Sequence, residues 1–390
     1  MNINIYMLSL LVCIGTQTSC HAKHKNPIAL TEPVVQEIYT SKTNPNERNI
    51  QVALLLDTSN SMDGLIDQAK AQLWEIVNEL SYARCAHEKI KLQIALYEYG
   101  NDGLPASEGF IRQVLPFSED LDEISKELFA LTTNGGNEFC GQVIKTSINQ
   151  LEWKKSNDHL KLIFIAGNEA FTQGRVNYTD ATMDAKEKGI TVNTIFCGNF
   201  RQGIDSRWKD GADRTYGEYT AIDHNQATVH IATPYDDVIL QLNTRLNNTY
   251  IHYGNAGMEK RRLQMKQDRN AQQYSSANAV SRAVSKSSSF YKNKSWDLVD
   301  AAKEEDFEIE EVQTSQLPDT LKQKSKAELK KYIDTKTKER NEIQAQIRDL
   351  NKKRVEYIKQ NSQKKGGSLE AALLKAIKKQ GEQKSFSWEE

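Results

Sequence analysis

The sequence predicts an α/β fold: a doubly wound, mostly parallel sheet flanked by helices, followed by a C-terminal helical region. Three observations lead to this prediction. An unbroken apolar run, typical of a parallel strand buried on both faces, occurs at residues 52–56, and two further segments are typical of buried strands, residues 160–166, apolar but for Lys161, and residues 191–197. Segments with apolar residues at helical spacing alternate with these runs, which favours right-handed strand–helix–strand units. From residue 320 the chain becomes basic and keeps a helical period.

The elements of the predicted domain follow one another in a regular order. The first strand, residues 50–57, precedes a helix over residues 63–82. Strands follow over residues 90–99 and 111–117, and the second of these is antiparallel or at an edge. We place the domain at residues 48–255. Its remaining elements are helices over 121–131, 141–153, 179–188 and 234–250, buried strands over 160–166 and 191–197, and edge strands or strand ends over 217–223 and 229–232.

Residues 1–22 have the composition of a targeting segment. The apolar stretch 6–14 is too short to span a membrane and is typical of an export signal. Two processing routes fit: a signal peptidase cleaves after Ala22, or Cys20 is the lipidated first residue of a lipoprotein. Residues 23–47 lack any period and predict a tether. We therefore expect the protein to be exported to the periplasm or cell envelope, either free or lipid-anchored.

The C-terminal part predicts a linker and a helical tail. Residues 256–319 are polar, with one short segment that is apolar enough to pack. Residues 320–390 carry 19 Lys and Arg against 10 Asp and Glu, although the whole chain has a net charge of −1. A capping box opens a helix over residues 325–360. This helix either packs on its own chain or forms a coiled coil through which the chain self-associates. Its apolar positions are Leu329, Ile333, Ile343, Ile347, Leu350 and Tyr357.

Overall charge and motif content argue against several functional classes. The net charge of −1 gives no support for nucleic-acid binding, and none is expected. Neither a Gly-x-Ser-x-Gly elbow nor a Gly-x₄-Gly-Lys phosphate loop occurs. We therefore predict that the protein is not an enzyme. The histidines are scattered without the spacing of metal ligands, at His87, His159, His224, His230 and His252.

A cluster of oxygen side chains ends the first strand. Asp57, Ser59 and Ser61 follow an apolar run directly, at the carboxyl end of a strand, where open α/β sheets place ligands. One carboxylate and two hydroxyls suit Mg²⁺, with Mn²⁺ or Ca²⁺ as alternatives, and do not suit zinc. The same residue types also cap helices, so a purely structural cap is the competing interpretation.

This motif within this order of strands and helices resembles the von Willebrand factor type A domain family, over about residues 48–255. The resemblance implies a Rossmann-like, three-layer fold. It also implies a metal-ion-dependent adhesion site, in which a Thr from a second loop and an Asp after the next apolar strand complete the Asp57-x-Ser59-x-Ser61 motif. In such a site the metal keeps one coordination position open for a partner's carboxylate.

The second loop departs from the family's pattern. The Thr is expected just after Gly135-Gly136, where this chain has Asn137 and Glu138. Thr133 lies earlier on the same loop. We expect Asn137 or Glu138 to complete the coordination of the metal.

The position of the distal Asp departs as well. After the strand ending at residue 166 the chain has Gly167, followed by Asn168 and Glu169. The usual second carboxylate is therefore missing there. We expect Glu138 or Glu169 to supply its charge, and metal binding to be weak otherwise, because Mg²⁺ needs a nearly complete set of oxygen ligands.

Cys140 and Cys197 are both predicted near the rim of the sheet that carries the metal motif. Either a disulfide joins them, as an oxidising compartment permits, or both are buried thiols.

Two functions compete. In the first, the protein is an exported, metal-dependent binding module that captures an Asp or Glu carboxylate of a partner protein. In the second, it is a cell-envelope scaffold that acts through its C-terminal helices, with a degenerate metal site. We expect the first.

Overall fold

A computed structural model describes residues 47–85, 88–225, 230–361 and 368–388, all within the unit Asn44–Glu390. Several sequence predictions lie outside these residues. They are the targeting segment 1–22 with Cys20 and the tether up to residue 46. Export and lipidation therefore stay predictions.

The centre of the fold is a six-stranded sheet with the order β4-β3-β1-β5-β6-β7. All neighbouring strands in it are parallel except β4, which pairs antiparallel with β3. The mostly parallel sheet and its antiparallel edge are thus confirmed. The strands are β1 (Glu47–Asp57), β2 (Ala83–Arg84), β3 (Lys89–Tyr99), β4 (Ile111–Ser118), β5 (Leu160–Gly167), β6 (Thr191–Cys197), β7 (Tyr219–Ile222) and β8 (Ser387–Trp388).

Helices cover both faces of the sheet, which confirms the three-layer arrangement. They are α1 (Asp63–Leu80), α2 (Leu121–Ala130), α3 (Cys140–Gln150), α4 (Tyr178–Glu187), α5 (Phe200–Asp205), α6 (Trp208–Asp213), α7 (Asp236–Asn247), α8 (Gly257–Tyr274), α9 (Ser276–Ser285), α10 (Leu298–Ala301), α11 (Lys326–Asn361) and α12 (Leu369–Glu382).

The position of the central strand β1 explains why its apolar run, residues 52–56, is unbroken. Val52 and Leu56 face one hydrophobic core, with α1, α2, α7, α9 and α12. Ala53 and Leu55 face the other, with α3, α4 and α6. Because successive side chains of a strand point to opposite faces, a strand buried on both faces needs apolar residues at every position.

Two local predictions differ from the structure. The short helices α5 and α6 were not expected, since neither is long enough to show a helical period. Residues 230–232 do not form the predicted strand. The chain there leads into α7, whose first residue, Asp236, accepts hydrogen bonds from the amide and the hydroxyl of Thr233 at 3.0 and 2.6 Å. Residue 229 lies outside the described part.

Residues 257–285 are not an open linker. They form α8 and α9, which pack on α2, α1 and α7. The polar composition of this segment gave no sign of packing, because many of its buried side chains are polar and two of those nearby are paired charges. Arg282 is buried, contacts Asp122 and Asp268, and lies 4.5 Å from the ring centre of Trp74. Lys286 is buried and pairs with Asp268 at 2.8 Å. Buried charges are tolerated when they are paired in this way.

The long helix α11 packs on its own chain, in agreement with the first of its two interpretations. Ile343 and Ile347 join the core on the α1 side of the sheet, and Leu329 and Ile333 join a smaller cluster with residues near α10. Arg340, which interrupts the apolar seam, is buried and pairs with Asp297 at 2.6 Å.

Among the described helices, none is both long enough and apolar enough to cross a membrane.

The helix α12 belongs to the same core. It packs against α1 and lies over β5 and β6. Its Gln380 side chain donates to the Asn193 side chain of β6 at 2.6 Å. Beyond it, β8 pairs antiparallel with β2. An apolar cavity of about 20 Å³ remains under this helix, between Leu369, Leu373 and the sheet.

Candidate metal centre

The candidate site lies at the carboxyl ends of β1, β3 and β5, which are neighbours in the sheet. Asp57 is the last residue of β1, and Gly100 and Gly167 stand at the ends of the two flanking strands. The loop between α2 and α3, residues 131–139, closes over them. This is the edge at which parallel α/β sheets collect ligand-binding loops.

The Asp57 side chain is buried (0% exposed) between the two flanking glycines. A Cβ atom on Gly100 would lie 2.9 Å from Asp57 Oδ1, and one on Gly167 would lie 3.1 Å from Asp57 Oδ2. The glycines therefore make the space for the carboxylate. The amide of Ser59 donates to Oδ1 at 2.7 Å, whereas Oδ2 has no hydrogen-bond partner among the described residues.

Glu138 brings a second buried carboxyl group (4% exposed) to Asp57. Its Oε2 has no partner in the described chain either. Burial raises the pKa of Glu138, and the neighbouring Asp57 raises it further. Burial also raises the pKa of Asp57. Two carboxyl groups this close share a proton unless a cation lies between them. Of the two residues expected to supply the second charge, Glu138 is the one that faces Asp57.

The two serines and Asn168 extend the cluster. The Ser59 hydroxyl interacts with both carboxyl groups and lies 3.3 Å from the Ser61 hydroxyl. The Asn168 side-chain amide donates to Ser61 Oγ at 3.0 Å, and its oxygen has no partner in the described chain. Sequence reasoning did not select Asn168 as a site residue. Its position directly after the β5 strand end was the available signal.

The second loop is fixed by backbone contacts. The amide of Asn134 donates to the carbonyl of Thr58 at 2.9 Å, and the carbonyl of Gly135 accepts from the amide of Asp102 at 2.5 Å. A Cβ on Gly136 would lie 2.5 Å from the carbonyl oxygen of Gly100. The Gly-Gly pair thus allows the loop to approach β3 closely enough to bring Glu138 to Asp57.

Three residues that the sequence suggested as possible metal ligands do not lie with Asp57 and Glu138. The Asn137 side chain is exposed, and no contact among the described residues directs it to Asp57. The Thr133 hydroxyl donates to Asp63 instead. Glu169 is exposed at the edge of the site, where it accepts from Gln173 at 3.2 Å. Its negative charge makes a minor contribution to the raised pKa of both buried carboxyls.

Cys140 and Cys197 are buried free thiols, which agrees with the second of the two alternatives given for them. Both lie near the same rim, as expected, but they belong to the cores on opposite faces of the sheet. The alternation of side chains along β6 places Phe196 on the Cys140 side and Cys197 on the other. The third thiol, Cys85, is also free.

The donor set fits a hard divalent cation. Two buried carboxyls with unpaired oxygens stand beside two hydroxyls and an amide oxygen, all of them oxygen ligands. No group of three or more His, Cys, Asp or Glu side chains suited to a metal occurs in the described chain, which argues against a zinc site.

The family model for the von Willebrand factor type A domain matches residues 51–207. The chain contains a von Willebrand factor type A (VWA) domain. The matched part includes the whole candidate site, from Asp57 to Glu169. VWA domains are generally non-enzymatic modules that mediate protein–protein interaction.

A search of curated proteins finds no match to this chain. Among solved structures, BatB from Bacteroides thetaiotaomicron is similar over 45% of this chain and 90% of its own, at 15% identity and a TM-score of 0.34. The VWA domain of SpRpn10 is similar over 46% and 99%, at 11% identity and 0.34. Proximal thread matrix protein 1 from the mussel byssus is similar over 45% and 41%, at 11% identity and 0.34. The match thus spans less than half of the mussel protein.

Proposed function

We propose that the protein is an exported, metal-dependent binding module that captures a carboxylate of a partner protein at the VWA site. One observation supports this most directly. Asp57 and Glu138 are buried side by side, and each keeps a carboxyl oxygen without a partner in the described chain. Leaving two such groups unpaired is costly, so their retention at a loop-built rim favours a ligand that neutralises them.

Four side chains would hold the cation: Asp57, Ser59, Ser61 and Glu138, with Asn168 beside Ser61. When bound, Mg²⁺ would offer an open coordination position to an incoming Asp or Glu carboxylate. Glu138 would replace the carboxylate that the family's pattern places at Gly167. Asp57 and Glu138 would supply two negative charges to the cation, and the serine hydroxyls would supply neutral oxygen ligands.

Export rests on the sequence of residues 1–22. A short apolar stretch before Cys20 and Ala22 supports targeting to the periplasm or cell envelope. Mass spectrometry of the mature N-terminus tests this. We expect a chain that begins at Lys23, or one that begins at a lipidated Cys20, whereas an intact N-terminus in cells would contradict export.

The scaffold alternative has less support. The apolar positions of α11 that a coiled coil would use are buried against the chain itself. Self-association through this helix would require them to leave that core.

Calorimetric titration of Mg²⁺, Mn²⁺ and Ca²⁺ into the purified protein tests the metal site. We expect heat of binding for the wild type, and its loss in Asp57→Asn and Glu138→Gln. Glu187→Gln, which removes an exposed carboxylate at the end of α4, is the matched control and should keep the heat. Circular dichroism confirms that each variant folds. No heat at millimolar metal from the folded wild type would refute the metal-dependent function.

A further inference from the structure

Exposed carboxylates surround the buried pair of the metal centre. We call Asp63, Asp102 and Glu169 the acidic collar. All three side chains are exposed. Asp63 is the first residue of α1, after β1, and Asp102 and Glu169 lie on the loops that follow β3 and β5. Because neighbouring strands lie about 4.8 Å apart, loops that follow β3 and β5 on either side of β1 stand roughly 10 Å apart.

Each collar residue is tied to the loop that carries Glu138. The Thr133 hydroxyl donates to Asp63. The amide of Asp102 donates to the carbonyl of Gly135. The link to Glu169 passes through Gln173, whose side chain donates to Glu169 at 3.2 Å and accepts from the amide of Glu138 at 3.3 Å. The collar is therefore part of the same folded unit as the buried carboxyls, and its geometry depends on the same loop.

Positive charge is scarce around the site. The four loops 57–63, 100–110, 131–139 and 168–177 contain six carboxylate residues and one basic residue, Arg175. A divalent cation would balance the two that are buried. On these four segments, four carboxylates and one arginine then remain exposed. The six carboxylates are Asp57, Asp63, Asp102, Glu108, Glu138 and Glu169.

A lysine on α1 lies behind the rim. Lys70 on α1 interacts electrostatically with Asp63, but its ammonium donates to the carbonyl of Leu131 at 3.2 Å and is half-buried. It does not form an ion pair with the collar, so the exposed rim stays negative.

We propose that the rim of this VWA domain is built for a cationic protein surface, in which the captured carboxylate is flanked by Lys and Arg side chains. The captured carboxylate in this inference rests on the proposed function. The preference for a basic partner surface over an acidic one rests on the acidic collar. An acidic partner surface would meet the like charges of the collar. A basic one would be attracted before contact and would neutralise the collar on binding. Exposed charges of this kind are screened over about 10 Å at moderate salt, so the preference should depend on ionic strength.

The test uses the full chain and three fluorescent synthetic peptides of equal length, each with a central aspartate. The flanking residues are lysine in the first peptide, serine in the second and glutamate in the third. Anisotropy is measured with excess Mg²⁺, at about 50 and about 300 mM salt. We expect the lysine peptide to bind about tenfold or more tightly than the serine peptide at low salt, the glutamate peptide to bind most weakly, and the differences to shrink at high salt.

Two sets of variants separate the collar from general charge effects. The collar variant combines Asp63→Asn, Asp102→Asn and Glu169→Gln, which keep the hydrogen-bonding oxygens. We expect it to lose the preference for the lysine peptide while Mg²⁺ still binds in the calorimeter. The control variant combines Glu119→Gln, Glu152→Gln and Glu187→Gln, exposed carboxylates near the opposite edge of the sheet, and should keep the preference.

The outcomes distinguish the two proposals. If Mg²⁺ gives no heat but the lysine preference persists and disappears in the collar variant, the metal-dependent function fails and the collar inference stands. If Mg²⁺ binds but the lysine and serine peptides bind equally, or neither binds at about 1 mM, the collar inference is overturned while the metal site stands.

Discussion

At the scale of single residues, the metal centre combines features that stability alone would disfavour. Asp57 and Glu138 are two acidic groups in a buried position, and each lacks a partner for one oxygen within the described chain. Burying a charge without a counter-charge costs free energy, and a neighbouring like charge adds to this cost. Sites of function commonly keep such residues at the expense of stability.

The first prediction concerns Glu138→Gln. Without metal, Glu138 must take up a proton to lie beside Asp57 in the folded state, whereas a neutral amide of similar shape needs none. The variant should therefore be more stable than the wild type in EDTA at neutral pH, by about 1–3 kcal/mol in free energy of unfolding. In Mg²⁺ at about 100 times Kd the wild type should gain about 2.7 kcal/mol that the variant does not gain, because ligand binding stabilises the folded state. Urea denaturation under both conditions measures this. A variant less stable than the wild type in EDTA would contradict the argument.

The second prediction concerns Gly100, which has a positive φ of +79° and packs against the site. A Cβ there would lie 2.8 Å from Glu138 Cγ, so Gly100→Ala should combine backbone strain with a clash. Gly254→Ala is a matched control, because φ is +76° and nothing lies within 4 Å of its Cβ position. We expect the control to lose about 1 kcal/mol of stability and Gly100→Ala to lose about 2–4 kcal/mol, with weaker Mg²⁺ binding. Equal losses measured by urea denaturation would show that the contact with Glu138 carries no weight.

The sequence predicted the site residues at the end of β1 but not all residues of the site. Asp57, Ser59 and Ser61 follow from their position after a buried run, since that edge is defined by the fold class. Choosing between Glu138 and Glu169 needed the three-dimensional path of the second loop. The same holds for Cys140 and Cys197, because closeness along a rim does not reveal which face of the sheet a side chain takes.

At the scale of elements, the contact between α12 and α1 contains an electrostatic conflict. Glu370, at the start of α12, faces Glu75 and Glu79 of α1, and Lys378 of α12 pairs with Glu79. Burial raises the pKa of Glu370 from its usual 4.5 to about 8, and the charges of Glu75 and Glu79 add to the effect. The folded protein therefore holds this proton more tightly than the unfolded chain does.

A third prediction follows for the pH dependence of stability. A raised carboxyl pKa gives a contribution that is complete below about pH 4.5 and is lost as the pH rises toward 8. We expect Glu370→Gln to remove this loss, so that the variant gains stability relative to the wild type between pH 5 and pH 8. Urea denaturation across this range measures the difference. Glu382→Gln, an exposed position on the same helix, is the control and should run parallel to the wild type.

Helices and strands could be predicted from the sequence where apolar residues recur with a clear period. They were missed where polar side chains form the buried contacts. β1, β5 and β6 each contain apolar residues on both faces, and their ends agree with the prediction to within a few residues. In α8 the buried positions include Gln264 and Gln267. Such a face gives no hydrophobic period, so composition alone indicated a linker.

At the scale of the whole molecule, the C-terminal helices are part of the core that begins at β1. Residues of α11 and α12 belong to the same hydrophobic cluster as Val52 of β1 and Leu73 of α1. The boundary drawn at residue 255 from the change in composition does not correspond to a gap in packing. The amino-acid composition of a segment indicates how polar the segment is on average. It does not show which segments pack in the same hydrophobic core.

A fourth prediction tests this integration. Deleting residues 320–390 should expose the sheet face under α12 and leave a protein that aggregates and has lost cooperative unfolding, because Leu373 and Ile377 no longer cover β5 and β6. Size-exclusion chromatography and thermal denaturation measure the effect. Val355→Ser changes an exposed apolar residue of α11 and should leave both unchanged. A truncated chain that unfolds cooperatively as a monomer would show that the tail is an independent unit.

The position of α12 over β5 and β6 also bears on how the protein is made. Synthesis from the amino terminus delivers these two strands well before residues 369–382, so side chains such as Phe164 and Ile195 remain without their final cover in the meantime. Pairings between segments this distant along the chain slow folding. A nascent polypeptide should therefore remain incompletely folded, and available to holding chaperones, until translation has passed α12.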